Sequence, residues 1–278
     1  MSLTLMYITN DPAVALIAEK NGVQRIWIDL ETLGKEERQH NINSVKSHHS
    51  IRDVEVISNM LTTSEMLVRV NPINDNSAEE INRVIDAGAD IVMLPMWKSA
   101  EEVKSFLKIV DGRVKTTLLL ETKEAAECID EVLAMGGFDE IHIGLNDLHL
   151  SYGLDFMFEL LTDGVVEMLC NKFRKYGIPY GFGGVARIGE GMLPAERIIM
   201  EHYRLGSTRA ILSRSFCNTE EVKDINTIET IFSANIARLR EYENSLAYKS
   251  DYEYGENTKA VRDCVAKIVK MIEEKKKK

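Results

Sequence analysis

The sequence predicts a closed (β/α)8 TIM barrel with an additional C-terminal helical extension. Three observations predict it. Short apolar runs alternate with helical patterns eight times. Several of those runs end on a charged residue, as Thr116-Thr117-Leu118-Leu119-Leu120-Glu121-Thr122 does. The marks of the rival, an open doubly wound sheet, are missing: no G-x-G-x-x-G follows the first run and no G-x-x-x-x-G-K-[ST] occurs. Strict alternation means parallel strands, and eight of them in roughly 250 residues is what a closed barrel takes.

The elements follow in order. Leu3 to Ile8 reads as a first buried strand, and Asn10 or Asp11 caps a helix with Pro12 in its first turn that stops at Asn21-Gly22. Arg25 to Glu31 is a second strand ending on two acids, followed by a long polar stretch from Thr32 to Ser50 and a helix from Ile51 to Leu61. Met66-Leu67-Val68-Arg69-Val70-Asn71 is a third strand, broken by Pro72. Ser77 and Glu80 form a capping-box pattern for the next helix, and Ser99 and Glu102 another. Asp90 to Pro95 lies between them as strand four. Strand five ends on Glu121, Lys123 to Met135 is one helix, and strand six runs from Glu140 to near Asp147. Gly164 to Tyr176 is helical, Tyr180 to Gly184 is strand seven, Pro194 opens a helix closed by Leu205-Gly206, and Arg209 to Ser213 is strand eight. A long helix spans Glu220 to Tyr242, and Val261 to Ile272 is amphipathic. The expected domains are a catalytic barrel over 1–245 and a helical, partly disordered extension over 246–278.

Composition narrows the function. Apolar residues make up 45% of the 278, enough for a full core. Acids outnumber bases 44 to 34, so there is no charge excess to neutralise phosphates and no nucleic-acid partner is expected. The Lys275 to Lys278 run reads as a solvated end. The four cysteines, Cys128, Cys170, Cys217 and Cys264, make no CxxC pair and fit reduced thiols in a cytoplasmic protein. No stretch suits a membrane span or a signal peptide, so no membrane partner is expected.

In a barrel all strand carboxyl ends open on one face. Glu31, Arg69, Glu121 and Asp147 can therefore share a cleft. Two carboxylates and an arginine suit Mg²⁺, or Mn²⁺ or Co²⁺ in its place: a hard cation takes one or two carboxylates, keeps waters, and leaves positions for a substrate's carboxylate and carbonyl. The arginine's planar fork can grip the same carboxylate. A strand-terminal acid is as often a helix cap or an ion-pair partner. Of the histidines, His48 and His49 read as solvated loop residues, His142 as an interior residue, and His149 as a candidate for the cleft. Trp97 either walls the pocket or packs. The Gly181-Phe182-Gly183-Gly184 run reads as close backbone packing rather than a phosphate loop. Arg187, Gly189 and Glu190, after strand seven, lie on the rim where barrels often bind phosphate; they read either as a phosphate or CoA site or as a flexible lid or subunit contact.

Leu119-Leu120-Glu121-Thr122 and Ile143-Gly144-Leu145-Asn146-Asp147-Leu148 resemble the two metal-binding motifs of the HpcH/HpaI aldolase/citrate lyase family. Ile28 to Glu31, Leu67 to Asn71 and Gly88 to Pro95 resemble its second to fourth strands, in the right order. The resemblance implies a phosphoenolpyruvate/pyruvate-type barrel that makes or breaks a carbon–carbon bond beside a small 2-oxo acid or hydroxy-oxo acid, or an acyl-CoA. It implies that Glu121 and Asp147 hold the metal, that Arg69 binds the carboxylate and enolate oxygen, that Leu145 and Asn146 face the substrate, and that the protein is a homo-oligomer. Thr32 stands where the family's aldolases carry a histidine, and Leu119 where they carry a glutamine, as in the citrate-lyase branch. The base is then Glu31, His149 or a water on the metal. A non-catalytic barrel that binds metal and an oxo-acid is the third reading.

Overall fold

A computed structural model of the chain describes residues 2–34 and 49–277. Its eight strands are β1 Thr4–Ile8, β2 Arg25–Asp29, β3 Glu65–Arg69, β4 Ile91–Leu94, β5 Lys115–Leu120, β6 Glu140–Ile143, β7 Tyr180–Val185 and β8 Arg209–Leu212. Each neighbours the next in a closed parallel barrel with helices between. The chain divides into two compact units, 6–141 and 1–5 with 142–278. Each is described by itself.

In the first unit, α1 (Pro12–Lys20) starts where expected: the Asp11 carboxylate accepts from the backbone N–H of Ala13 and Val14, and Pro12, with no N–H to waste, opens the helix. α2 (Ile51–Ser58), α3 (Ser77–Asp86) and α4 (Ala100–Val110) follow. The capping box expected of Ser77 and Glu80 does not form. Asn76 is the cap, the Ser77 hydroxyl accepts from Asn74 N–H at 2.9 Å, and Glu80 accepts from Asn71 instead. The reason is the loop after β3, which brings Asn71 beside the helix and offers Glu80 two donors where the cap offers one. The single helix expected over 123–135 is two, α5 (Lys123–Glu127) and α6 (Ile129–Met135), meeting at Cys128.

One register organises this unit. β2 and β3 pair with Arg25 opposite Glu65, Trp27 opposite Leu67 and Asp29 opposite Arg69. Paired residues of parallel strands face the same way and side chains repeat every second residue, so all six share one face. At the start of the strands buried Arg25 forks onto Glu140, with Nη2 at 3.0 Å from Oε2, and its Nε lies 3.0 Å from Glu65. Thr117 donates to the same Glu140 carboxylate at 2.7 Å. Burial alone would pull the Arg25 pKa down, but Glu140 and Glu65 hold it above its usual range. At the far end the polarity reverses, with the acid on β2 and the arginine on β3.

In the second unit, β6 stops at Ile143 and a short helix, α7 (Leu145–Ser151), begins at once. Asp147, expected at a strand end, is therefore in the first turn of a helix, where its charge suits the helix dipole. α8 (Glu159–Thr162), α9 (Val165–Lys175) and α10 (Ala195–Leu205) precede β8. The glycines of β7 serve packing. A Cβ on Gly181 would lie 2.5 Å from the Arg209 carbonyl oxygen, and Gly183 has φ +53 with Leu145 against it. The long helix expected from Glu220 starts later, as α11 (Ile225–Leu246), capped by Asp224.

The extension is a continuous helix, α12 (Asp251–Lys276), opened by a Ser250–Glu253 capping box. Val261, Val265 and Ile268 bury one stripe of it, and Asn257 donates to the buried Glu201 of α10 at 2.8 Å. Lys276 pairs with Asp155. No described helix is long and apolar enough to cross a membrane.

Candidate functional site

In the first unit the strand ends gather around Arg69. Its Nε and Nη2 each lie 2.8 Å from an oxygen of Asp29, a two-point grip set by the register that puts these residues opposite each other. Its Nη1 is 3.2 Å from Glu31. The guanidinium sits 5.3 Å from the centre of the Trp27 ring, two residues back on the same face of β2. Burial alone would pull the arginine's pKa down, but Asp29, Glu31 and Glu121 hold it up, so its charge is permanent.

Asp29, Glu31 and Glu121 are each only 3% exposed. Glu121, one residue past β5, accepts from Met96 N–H at 3.1 Å. Met96 points that N–H by adopting φ 53, a left-handed conformation that costs a non-glycine residue roughly 1–3 kcal/mol. Glu31 is held from behind by its own backbone, whose N–H donates to Asp29 Oδ1. His49, read from sequence as solvated, instead accepts the Asp29 backbone N–H at 2.9 Å and is half-buried. Its neighbour His48 lies outside the described residues, as does most of the polar stretch between Thr32 and Ser50.

Thr32 does not stand alone. Its N–H and hydroxyl, with the N–H of Leu33, converge on Asn71 Oδ1. Trp97 is 2% exposed and packs, and its carbonyl receives the Thr122 hydroxyl that also caps α5.

In the second unit, Leu145, Asn146 and Asp147 form the first turn of α7. Their N–H groups have no carbonyl within the helix to meet. His149 is 8% exposed, with Nδ1 3.2 Å from the Leu145 carbonyl. A carbonyl only accepts, so Nδ1 is the donor in this contact. His142 is fully buried with Nε2 3.2 Å from the Gly183 carbonyl, an interior residue as expected. Arg187 is engaged by Glu190 at 3.0 Å.

Sequence reasoning therefore named Glu31, Arg69 and Glu121 but passed over Asp29, Trp27, Met96 and Asn71. Asp29 had a signal: Arg25 and Asp29 have the same four-residue spacing as Glu65 and Arg69, with opposite charges.

The donor set suits a hard cation. Three buried carboxylates, Asp29, Glu31 and Glu121, lie around the Arg69 guanidinium. Among the described residues no cluster of three or more His, Cys, Asp or Glu is arranged to hold a metal. Mg²⁺ needs fewer, taking one or two carboxylates and keeping its waters.

Comparison with known proteins gives the family. Residues 4–157, more than half of the 278, match the HpcH/HpaI aldolase/citrate lyase family. No curated protein matches. Among solved structures, an HpcH/HpaI aldolase from Desulfitobacterium hafniense DCB-2 is similar at TM-score 0.61 and 16% identity, over 82% of this chain and 93% of that one. An HpcH/HpaI aldolase/citrate lyase family protein from Burkholderia cenocepacia J2315 gives 0.60 and 14%, over 82% and 95%. RipC from Yersinia pestis gives 0.54 and 15%, over 83% and 94%. At these identities the likeness speaks for the fold. The family match over residues 4–157 carries the assignment: this chain belongs to the HpcH/HpaI aldolase/citrate lyase family, and is a lyase of the aldolase/citrate-lyase type.

Proposed function

We propose that the protein is a divalent-metal-dependent carbon–carbon lyase of the aldolase type, acting on a small 4-hydroxy-2-oxo acid and releasing pyruvate or a close analogue. One observation carries this reading beyond the family: a buried, permanently charged guanidinium at the end of β3, held by two acids with a third nearby.

Arg69 spends two N–H groups on Asp29 and turns a third nitrogen to Glu31. Its remaining N–H groups bind the substrate carboxylate and the carbonyl oxygen that becomes the enolate oxygen. Asp29 keeps the fork in one orientation, so no reorganisation is needed as charge develops. Glu31, beside the guanidinium, accepts the proton of the 4-hydroxyl. The bond between carbons three and four then breaks, the aldehyde leaves, and the electron pair passes into the enolate. Return of a proton to carbon three gives the 2-oxo acid. His149 is the second candidate for the base, and the N–H groups of Leu145 and Asn146 the second contact for the carboxylate. Glu121 and Asp147, the acids of the two motifs, would hold Mg²⁺, Mn²⁺ or Co²⁺, which when bound supplies positive charge to the developing enolate.

The test is pyruvate release from a panel of 4-hydroxy-2-oxo acids, coupled to lactate dehydrogenase, with each metal and after chelation. Activity that appears with metal and is lost in both Glu121→Gln and Asp147→Asn is the expected result. Release that survives chelation would remove the metal. No release from any substrate, together with oxalate binding by calorimetry, would favour a non-catalytic oxo-acid binder. Protection against thermal unfolding by CoA would favour the acyl-CoA reaction.

A further inference from the structure

We propose that Asn71 and Glu80 are positioning residues that clamp the chain just after β2 and so present Glu31 to Arg69. This rests on the function proposed for Glu31, but the clamp itself is read from hydrogen bonds.

Asn71 lies two residues beyond Arg69, where the chain leaves β3. Its Oδ1 accepts three hydrogen bonds: from Thr32 N–H at 2.9 Å, from Leu33 N–H at 2.9 Å and from the Thr32 hydroxyl at 3.3 Å. Its Nδ2 donates to Glu80 Oε1 at 2.8 Å and to the Leu30 carbonyl at 3.4 Å. Only one amide orientation satisfies this set, because backbone N–H groups need an acceptor and a carboxylate needs a donor. Glu80 Oε1 takes a second bond from the Asn71 backbone N–H at 3.1 Å, which fixes the amide that fixes the loop.

The contacts therefore bracket Glu31 on both sides. Leu30 before it and Thr32 and Leu33 after it are held by one side chain. Thr32 and Leu33 are exposed, so burial does not order them and the amide does. Glu31 itself is buried and pairs with Arg69. A register shift of its loop would withdraw the carboxylate from the guanidinium. The same strand end thus supplies both the binding group, Arg69, and the brace for its partner. Thr32, with its hydroxyl and N–H both turned to Asn71, has a bracing part in the loop. Glu80 is half-buried at the edge of an open cavity also lined by His49, Asn76, Glu79 and Arg83, and burial raises its pKa. Giving up the helix cap for Asn71 is what places its carboxylate here.

The experiment compares wild type, Asn71→Ala, Asn71→Asp, Glu80→Gln and the double variant Asn71→Asp/Glu80→Gln. In the double variant the introduced carboxylate still accepts from the loop and the introduced amide donates back to it, so the bond between the two side chains is replaced with its direction reversed, while the 3.4 Å bond to the Leu30 carbonyl is lost. Amide exchange at Thr32 and Leu33, read by NMR or mass spectrometry, is expected to rise about tenfold or more in Asn71→Ala and Asn71→Asp and to return toward wild type in the double variant. With an active substrate in hand, kcat is expected to fall about tenfold to a hundredfold in those single variants, with KM within about threefold, and to recover in the double variant. Unchanged exchange in Asn71→Ala would overturn the clamp. Raised exchange with unchanged kcat would overturn its positioning role. Raised exchange without recovery in the double variant would overturn the part given to Glu80. If wild type cleaves no substrate, the aldolase reading fails while the exchange measurements still decide the clamp, with the Arg69 Nη1–H resonances reporting whether Glu31 has left.

Discussion

Arg69 shows what a single residue contributes here. Its usefulness comes from shape as much as charge: a flat fork meets both Asp29 oxygens at 2.8 Å and still offers an edge to Glu31. Lysine would keep the charge but satisfy one acceptor at a time. Arg69→Lys is therefore expected to lower kcat/KM about a hundredfold or more, the loss typical of removing one preorganised donor to a developing oxyanion. Steady-state pyruvate release measures this, and a variant within threefold of wild type would show that the fork is not used in the reaction. The arginine was legible in the sequence because it ends an apolar run. Its grip on Asp29 was not, since nothing in Met66 to Asn71 says which residue of β2 lies opposite. Met96 was hidden for another reason: a left-handed methionine looks like any other until the loop after β4 has to aim an N–H at Glu121.

Strand pairing turns such residues into a system. The β2–β3 register makes two charge pairs of opposite polarity four residues apart, Arg25 with Glu65 and Asp29 with Arg69. Arg25 of the lower pair is buried together with its other partner, Glu140, and neither has a place in the proposed chemistry, so they isolate a stability effect. Arg25→Met leaves Glu140 buried with the Thr117 hydroxyl but without its cation. Breaking a buried pair from one side costs about 3–5 kcal/mol, whereas replacing both partners by apolar groups is often near neutral. Urea denaturation is expected to show the single variant destabilised by that amount and Arg25→Met/Glu140→Met recovering most of it. Equal loss in both would mean that packing, not the unpaired acid, dominates. At this scale the sequence also misled. Asp147 ends an apolar run and looked like a strand terminus, yet α7 begins at Leu145, because the strand pattern of Glu140 to Ile143 runs without a break into a helical one.

Stability of the whole chain should carry the mark of a buried histidine. His202 is fully buried, stacked on Phe182 at 3.8 Å, with Nδ1 2.7 Å from the Ser207 hydroxyl and no partner for Nε2 among the described residues. Burial, with some help from His142, depresses its pKa from 6.5 to about 3. The unfolded chain therefore takes up the proton first. The stability tied to neutral His202 is fully present above about pH 6.5 and is lost progressively as pH falls toward 3. The slope from this one group is at most about 1.4 kcal/mol per pH unit. Thermal unfolding from pH 7 to 4 is expected to lose Tm faster in wild type than in His202→Gln, so that the gap between them narrows on acidification. A constant gap would mean that His202 does not titrate between the two states.

From its residues alone this chain declared an eightfold alternation, the positions of most strands and helices, and three of the charged groups at the candidate site. These are readable because hydrophobic period and capping chemistry act over a few neighbours. The tertiary structure alone decided that Asp29 faces Arg69, that Met96 and His49 lend groups to Glu121 and Asp29, and that Glu80 leaves its helix cap to brace Asn71. Those outcomes depend on strand register and loop path, which join residues far apart in the chain, and no local pattern records which partner a side chain will meet.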